Sequence, residues 1–529
     1  LCGTFYIYTQ VRAFVAYLDY INTGKNRPYF IFYFYKRHAR LVVLIFKLSG
    51  NIPPVRIYNT ATRQLEEFVT YTPRLARGYV CGITPYDSVH VGHGRVYVFF
   101  DVFRRYLEAQ GYEVRLVINF TDIDDKIINK AREEFGAEAY KRWREVPERY
   151  IAEFFEMSRR LFIRPAYAYP KVTENVEDMV SWIKALVEKG YAYTAPDGSV
   201  YFEVGKVPNY GVLSRQRIEE LMAGARVEPE PGKRNPLDFA LWKSWTPGEP
   251  WWNAPWCPGR PGWHLECVVM STKHLGVPFD FHGGGADLIF PHHENEIAIA
   301  KAYFGVDNFA RYWIHVGYLT VRGEKMSKSL GNVVTLREAL SKYSGEALRL
   351  AYAMSHYRKP MEFSYEVLDQ AEEMAKTIYT AYDELGQAVG DAGEEDREAL
   401  EHGRYVEEFY AALEDDFSTP QAAQQLYGLA RYIISTVLHK IDKISRNTAL
   451  SILSQYVKMA DILGVLERRE MPKEVEEAVK AAVEIRARLR KERQYQLADY
   501  IRERLSSIGV ELHDFGQRTY YTYRRGKTA

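Results

Sequence analysis

A strand, a turn and a helix follow one another between Gly78 and Gly111, and that order constrains the fold of this chain more than any other stretch. The run Gly78-Tyr79-Val80-Cys81-Gly82-Ile83-Thr84 reads as a buried strand. Phe99, Val102, Phe103 and Tyr106 recur at i, i+3, i+4 and i+7, which predicts a helix stopped by Gly111. Tyr112 to Phe120 reads as a second strand. Such a unit calls for a parallel α/β sheet with its ligands beyond the carboxyl ends of the strands. His90 and His93 fall near the N-terminus of the predicted helix. Unpaired N–H groups and the helix dipole favour phosphate there, and two imidazoles one turn apart add donors. Gly92 between them leaves room for a flat base to approach the backbone.

Size sets the next bound. A chain of 529 residues exceeds one hydrophobic core, so three or four domains are expected, and 47% apolar with 26% charged residues suits a soluble globular protein. Seventy basic against 69 acidic residues leave a net charge of +1, so any nucleic-acid site must be a local patch. From Arg486 to Ala529 there are eleven Lys or Arg and five Asp or Glu, a net of +6, interleaved with Tyr495, Tyr500, Phe515, Tyr520, Tyr521 and Tyr523. That composition suits phosphate contact and base stacking, although a charged amphipathic helix and tail would have it too. The four cysteines, Cys2, Cys81, Cys257 and Cys267, form no Cys-x-x-Cys and argue against a disulfide framework, in keeping with a reducing cytoplasm. No apolar run reaches the length of about 18 residues that a membrane span needs.

A second charged signature lies far downstream. Lys325-Met326-Ser327-Lys328-Ser329 sits between Gly323 and Gly331, a composition that suits a mobile loop carrying point charges to a polyphosphate. Alone, a His-x-x-His is commonly a core or surface pair and a Lys-x-x-Lys a solvated face. Together and in this order they resemble the class I aminoacyl-tRNA synthetases. Further segments resemble the cysteinyl-tRNA synthetases: Cys81 to Asp87, Asn119-Phe120-Thr121-Asp122-Ile123-Asp124-Asp125-Lys126, Tyr210-Gly211-Val212-Leu213-Ser214-Arg215-Gln216, Gly262-Trp263-His264-Leu265-Glu266-Cys267 and Phe290-Pro291-His292-His293-Glu294-Asn295-Glu296. The resemblance runs from about Val55 to the C-terminus. Three departures stand out: Val91 where isoleucine is common, Tyr523-Arg524-Arg525 where a tryptophan often precedes basic residues, and the first 54 residues, which resemble nothing in that family.

The implied fold is a doubly wound Rossmann-type core with a connective insertion, followed by an α-helical anticodon-binding bundle. The core's halves are expected at 55–169 and 251–335, around an insertion of short strands and Pro/Gly-rich turns at 170–250. Helices are expected at 336–385 for stem contact and at 386–470 for the anticodon, with an acidic linker from Gly386 to Asp396, a capping turn at Asp415 to Pro420, and a basic tRNA-binding region at 471–529. Because the first methionine is Met157, beyond the histidine signature, initiation used another codon or an initial Met is missing. Residues 1–54 are therefore read as an extension of doubtful authenticity, with Val55 as a candidate start.

The resemblance also implies one zinc ion per chain, held by Cys81, Cys267, His292 and Glu296. Locally, Pro291 suits a first helical residue, and His292 and Glu296 then share a face at i, i+4. His293, Glu294 and Cys257 remain alternative donors at this level. Further implications are a ligase that forms cysteinyl-adenylate from cysteine and ATP with Mg²⁺ and charges tRNA(Cys), acting as a cytoplasmic monomer without a membrane partner. His90 and His93 would meet the ATP phosphates and Lys328 the triphosphate, with Lys325 auxiliary. His282 and Asp287, in His282-Gly283-Gly284-Gly285-Ala286-Asp287, would lie beside the amino acid and nucleotide, and Thr84 and Trp263 beside the substrate. Two rivals are a mycothiol-pathway cysteine ligase, disfavoured by the long helical region, and a non-catalytic RNA-binding protein, disfavoured by the intact histidines and lysines.

Overall fold

The computed structural model describes residues 29–33, 43–47, 55–216, 232–321, 323–326, 331–467 and 472–523. The chain divides into two units, Leu1–Pro54 and Val55–Ala529. In the first, Tyr29–Tyr33 pairs antiparallel with Val43–Lys47. The second holds every motif.

After an antiparallel pair, Arg56–Asn59 and Gln64–Glu67, comes the first core strand, β1 (Leu75–Ile83), buried on both faces over most of its length, as a central parallel strand must be. Helix α1 (Val91–Ala109) ends where Gly111 takes a φ of 84°. Next comes β2 (Glu113–Phe120), parallel to β1. The chain then leaves the core and builds a four-stranded antiparallel sheet from β3 (Ala192–Thr194), β4 (Val200–Phe202), β5 (Phe239–Ser244) and β6 (Gly259–Pro261). It returns through α2 (Trp263–Leu275), β7 (Phe279–Gly285), α3 (Glu294–Phe304) and β8 (Ala310–Val316). The core sheet is parallel throughout with order β8-β7-β1-β2, the doubly wound arrangement expected. Phe100 and Phe103 of α1 pack on Phe281 of β7, the latter edge-on with centroids 5.2 Å apart, and fasten helix to sheet.

Beyond the core, β9 (Leu319–Val321) pairs antiparallel with β10 (Glu324–Lys325). Helix α4 (Gly345–Ala353) follows, and then β11 (Met361–Glu362), which pairs parallel with β9. The bundle comprises α5 (Tyr365–Ala388), α6 (His402–Glu414), α7 (Thr419–Tyr432) and α8 (Arg446–Leu463). Ser418 precedes α7 with Pro420 in its first turn, as the capping-turn reading expects. The acidic stretch expected as a linker from Gly386 is helical at first, because α5 continues to Ala388 and a 3₁₀ turn covers Val389–Asp391. A buried ionic knot ties the bundle to α1. Asp101 holds Arg105 and Arg349 at 2.7 Å each, and Arg349 donates to the Leu463 carbonyl at 2.8 Å. Burial pushes the Asp101 carboxyl up, yet the two guanidinium groups hold it below its usual range. Removing one partner of such a knot costs on the order of 3–5 kcal/mol.

The C-terminal module packs α9 (Lys473–Lys491) and α10 (Tyr495–Ser507) on the hairpin β12 (Val510–Phe515) and β13 (Arg518–Tyr523). The region expected as basic and tRNA-binding is a packed module that turns part of its charge and aromatic surface inward. Arg486 is 2% exposed and bound bidentately by Asp514, while Tyr520 and Tyr521 are buried, Tyr520 donating to Asp391. Tyr495 and Tyr500 stay exposed. Among the described residues no helix is long and apolar enough to cross a membrane.

Candidate active site

The carboxyl ends of β1, β7 and β8 open into one cavity of about 350 Å³, lined by Cys81 to Thr84, His90, Gly92, His93, Trp263, Asp287, Val316 to Leu319 and Met326. This is the crevice where a parallel sheet receives ligands.

Its outer end is built by the start of α1. His90 is the N-cap, in extended conformation, and its Nδ1 accepts the His93 N–H at 3.3 Å, while His93 Nδ1 accepts the His90 N–H at 3.3 Å. The rings stack with centroids 3.6 Å apart. Because each Nδ1 accepts, the neutral rings carry their protons on Nε2, so both present Nε2–H donors beside the helix N-terminus. Gly92 adjoins Met326 of the lysine segment: a Cβ there would stand 3.1 Å from Met326 Cε. Lys325 lies on β10, directly across from Thr320. Lys328 lies outside the described residues.

The inner end is a buried cluster of thiol, imidazole and carboxylate. Cys81 comes from β1, Cys267 from α2, and His292, His293 and Glu296 from the start of α3 and the turn before it. In that turn Phe290 is extended and helical angles resume at Pro291, which puts His292 and Glu296 one turn apart. Cys81 Sγ lies 3.7 Å from Cys267 Sγ and 3.7 Å from Glu296 Oε1; His292 Nε2 lies 3.5 Å from Cys267 Sγ and 3.0 Å from Glu296 Oε1. Four donors around a tetrahedral zinc stand about 3.4–3.8 Å apart; the three spacings that involve a sulfur match this, and that between His292 and Glu296 is shorter. His293 competes for the position, its Nε2 being 3.2 Å from Cys81 Sγ, and the donor atoms of Cys81, His292, His293 and Glu296 also lie within 4.8 Å of one another.

The electrostatics suit a cation. Burial pushes both thiols up, but His292 and the hydrogen bond from Cys81 bring Cys267 down to about 6, while Cys81, also beside Glu296, stays well above the usual range. Against burial, Glu296 raises His292 to about 10, and the Glu296 carboxyl itself is held far down by His282 and His292. At neutral pH the cluster thus carries a thiolate and a carboxylate, and a metal would take the place of the His292 proton. Each outer nitrogen is held in turn: His292 Nδ1 faces His264 Nδ1 at 3.1 Å, and His293 Nδ1 faces His315 Nε2 at 2.8 Å.

Trp263 is 38% exposed and stacks on His292 with centroids 4.0 Å apart, a cavity wall rather than a core tryptophan. Thr84 and Asp287 line the cavity. His282, expected beside the amino acid and nucleotide, is instead fully buried behind the cluster, its Nε2 2.7 Å from Glu296 Oε2 and its ring stacked on Trp313. His264 and His315 also adjoin the site; the first follows Trp263 in the chain, but no local pattern marks the second. Two of the motifs prove to be one structure. Glu294 accepts the N–H groups of Gly211, Leu213 and Ser214 at 2.8–3.0 Å, and Asn295 accepts the Tyr210 hydroxyl at 2.5 Å.

A parallel core that places a histidine-capped helix over the strand ends, followed by a helical bundle, defines a class I aminoacyl-tRNA synthetase. Residues 67–373 match the family described as tRNA synthetases class I (C) catalytic domain, and 408–467 match the DALR domain. The chain belongs to the cysteine–tRNA ligase family. It is 97% identical to the cysteine–tRNA ligase of Pyrobaculum arsenaticum over 472 residues, covering 89% of this chain and 99% of that one. It is 46% identical to that of Thermococcus gammatolerans, over 88% of this chain and 98% of the other. Among solved structures, Mycobacterium tuberculosis methionyl-tRNA synthetase in complex with methionyl-adenylate shares the fold, with a TM-score of 0.54 at 13% identity over 77% of this chain and 94% of that one.

Proposed function

We propose that this ligase activates cysteine with ATP, transfers it to the 3′-terminal adenosine of a tRNA, and selects the thiol with one zinc ion. The observation that carries this reading is the metal-type cluster, which borders the cavity of the histidine helix through Cys81 and through Trp263, stacked on His292. Cys81, Cys267, His292 and Glu296 would hold the zinc, with His293 beside them. The 3.0–3.7 Å spacing of the four and the affinity of zinc for thiolate support that set. Zinc bound there supplies a coordination position for the substrate sulfur and lowers its pKa, which a serine hydroxyl does not match.

The chain's own residues do the rest. Trp263 closes the wall beside the sulfur, Thr84 lines the approach, and Asp287 holds the substrate ammonium. The cysteine carboxylate attacks the α-phosphorus in line and pyrophosphate leaves. His90 and His93 offer Nε2–H to the phosphates, Lys328 neutralises the departing triphosphate end, Lys325 assists, and Mg²⁺ enters with ATP. The ribose hydroxyl of the tRNA terminus then attacks the acyl carbonyl and releases AMP. The DALR match supports a tRNA acceptor over a small one, and exposed Tyr495 and Tyr500 offer it stacking faces. A reducing cytoplasm suits the free thiols of Cys81, Cys257 and Cys267.

Pyrophosphate exchange with cysteine, serine and alanine tests the reading. Rapid ATP-dependent exchange with cysteine and at least about a thousandfold less with serine is expected. Comparable exchange with serine, or the same selectivity in metal-free protein, overturns the zinc assignment.

A further inference from the structure

We propose that Arg95 is a positioning residue for adenylate formation, which sets the lysine hairpin in place against the histidine helix. Arg95 stands two residues after His93 on α1 and is 2% exposed. Its Nη1 donates to the carbonyls of Gly317 at 2.8 Å and Tyr318 at 3.1 Å. Its Nη2 donates to the carbonyls of Lys359 at 2.8 Å and His356 at 3.0 Å, with Ser355 Oγ at 3.4 Å. One guanidinium therefore grips two separate turns.

Those turns feed the sheet that carries the lysine segment. Gly317 and Tyr318 lead into β9, and residues 356–359 lead into β11. In that sheet β9 lies between β10 and β11, with Thr320 opposite both Lys325 and Glu362. Met326 N–H donates to the Leu319 carbonyl at 3.0 Å, and the Met326 side chain reaches Gly92 on α1. Holding both feeder turns from α1 thus fixes where β10 and Met326 lie relative to the two imidazoles on the same helix. The turns also lock to each other: Gly317 N–H donates to the Tyr357 carbonyl at 2.7 Å, and any side chain at 317 would collide with the Lys359 carbonyl.

Arginine suits this task for a geometric reason. Its planar fork offers five donors in fixed directions, whereas a lysine ammonium offers three on a flexible stem. The described partners are all carbonyl or hydroxyl oxygens, and although burial lowers the guanidinium to about 10 it remains cationic at neutral pH.

The inference rests on the assignment of Lys328 to the triphosphate, and a double-mutant cycle in pyrophosphate exchange separates the two. Arg95→Lys should lower kcat about 100-fold, the effect of roughly an ångström of misplacement, and leave the KM for cysteine within about threefold. In a Lys328→Ala background the same change should cost less than about threefold, because the group that Arg95 positions is gone. An equal loss in both backgrounds, or no loss in the first, overturns the role of Arg95. A Lys328→Ala enzyme at the wild-type rate overturns the lysine assignment instead. Should Arg95→Lys fail to fold, Gly317→Ala decides, since it displaces the same turn with Arg95 intact and should give the same non-additive pattern; additive losses there overturn the proposal.

Discussion

The two ends of the cavity are built in opposite ways. At the floor, the donors come from β1, α2 and α3, lie almost wholly out of solvent, and are backed by His264, His282 and His315. At the rim, the cationic signature hangs on a strand of two residues, Glu324–Lys325, beside half-buried imidazoles. In the proposed function the floor would have to be rigid, because choosing between two side chains of nearly one shape depends on donors that do not adapt. The rim, in the same proposal, would meet charge that develops only as pyrophosphate leaves, so its groups would be wanted at one moment of the cycle.

The largest effect expected follows from breaking the floor. Cys267→Ser should lose its zinc by elemental analysis, and cysteine-over-serine preference in pyrophosphate exchange should fall to the roughly 10- to 200-fold that a plain pocket achieves. Full selectivity in that variant would remove the contrast altogether. Lys328→Ala should lower the exchange kcat by about 10²–10³-fold while the cysteine KM moves little, the signature of a group felt mainly in the transition state. A parallel rise in KM would make the rim part of ground-state binding. His282→Ala tests whether the backing layer matters, since it strips the hydrogen bond from Glu296; zinc affinity in competition with a chelator should drop about 10- to 100-fold.

The smallest expected effect compares two buried carboxylates. Glu296 is ionised by its imidazole neighbours, whereas among the described residues Glu384 of α5 accepts no hydrogen bond at either oxygen, has His513 Nδ1 at 3.4 Å, and is pushed up to about 8 by burial and by Asp383. A carboxyl with a raised native pKa is protonated in the fold. Its contribution is therefore present in acid and is lost as pH rises from about 4.5 to 8. Glu384→Gln should cancel that loss, gaining on the order of 1–3 kcal/mol over the wild type at pH 8.5 relative to pH 5 in chemical unfolding. Parallel pH profiles would show that Glu384 is ionised in the folded protein.

Local periodicity carried much of the fold. The helix over Phe99 to Tyr106, its stop at Gly111 and the flanking strands are short-range consequences of side-chain pattern, and they appear in place. The i, i+4 relation of His292 and Glu296 was legible for the same reason. At the C-terminus composition did not report burial: Arg486 finds its carboxylate 28 residues away, and Tyr520 finds Asp391 at a separation of 129.

What this sequence determined by itself was the α/β class, the place of the histidine helix and the membership implied by its motifs, all of which depend on residues near one another in the chain. What only the tertiary structure decided was which distant groups meet. His282 turned from substrate neighbour into support for Glu296, His315 joined a site that no local pattern announces, and Arg95 found acceptors more than 220 residues away. The physical reason is that a buried polar group must be satisfied by whatever the packed fold brings within about 3 Å, and that partner is chosen by topology rather than by sequence distance.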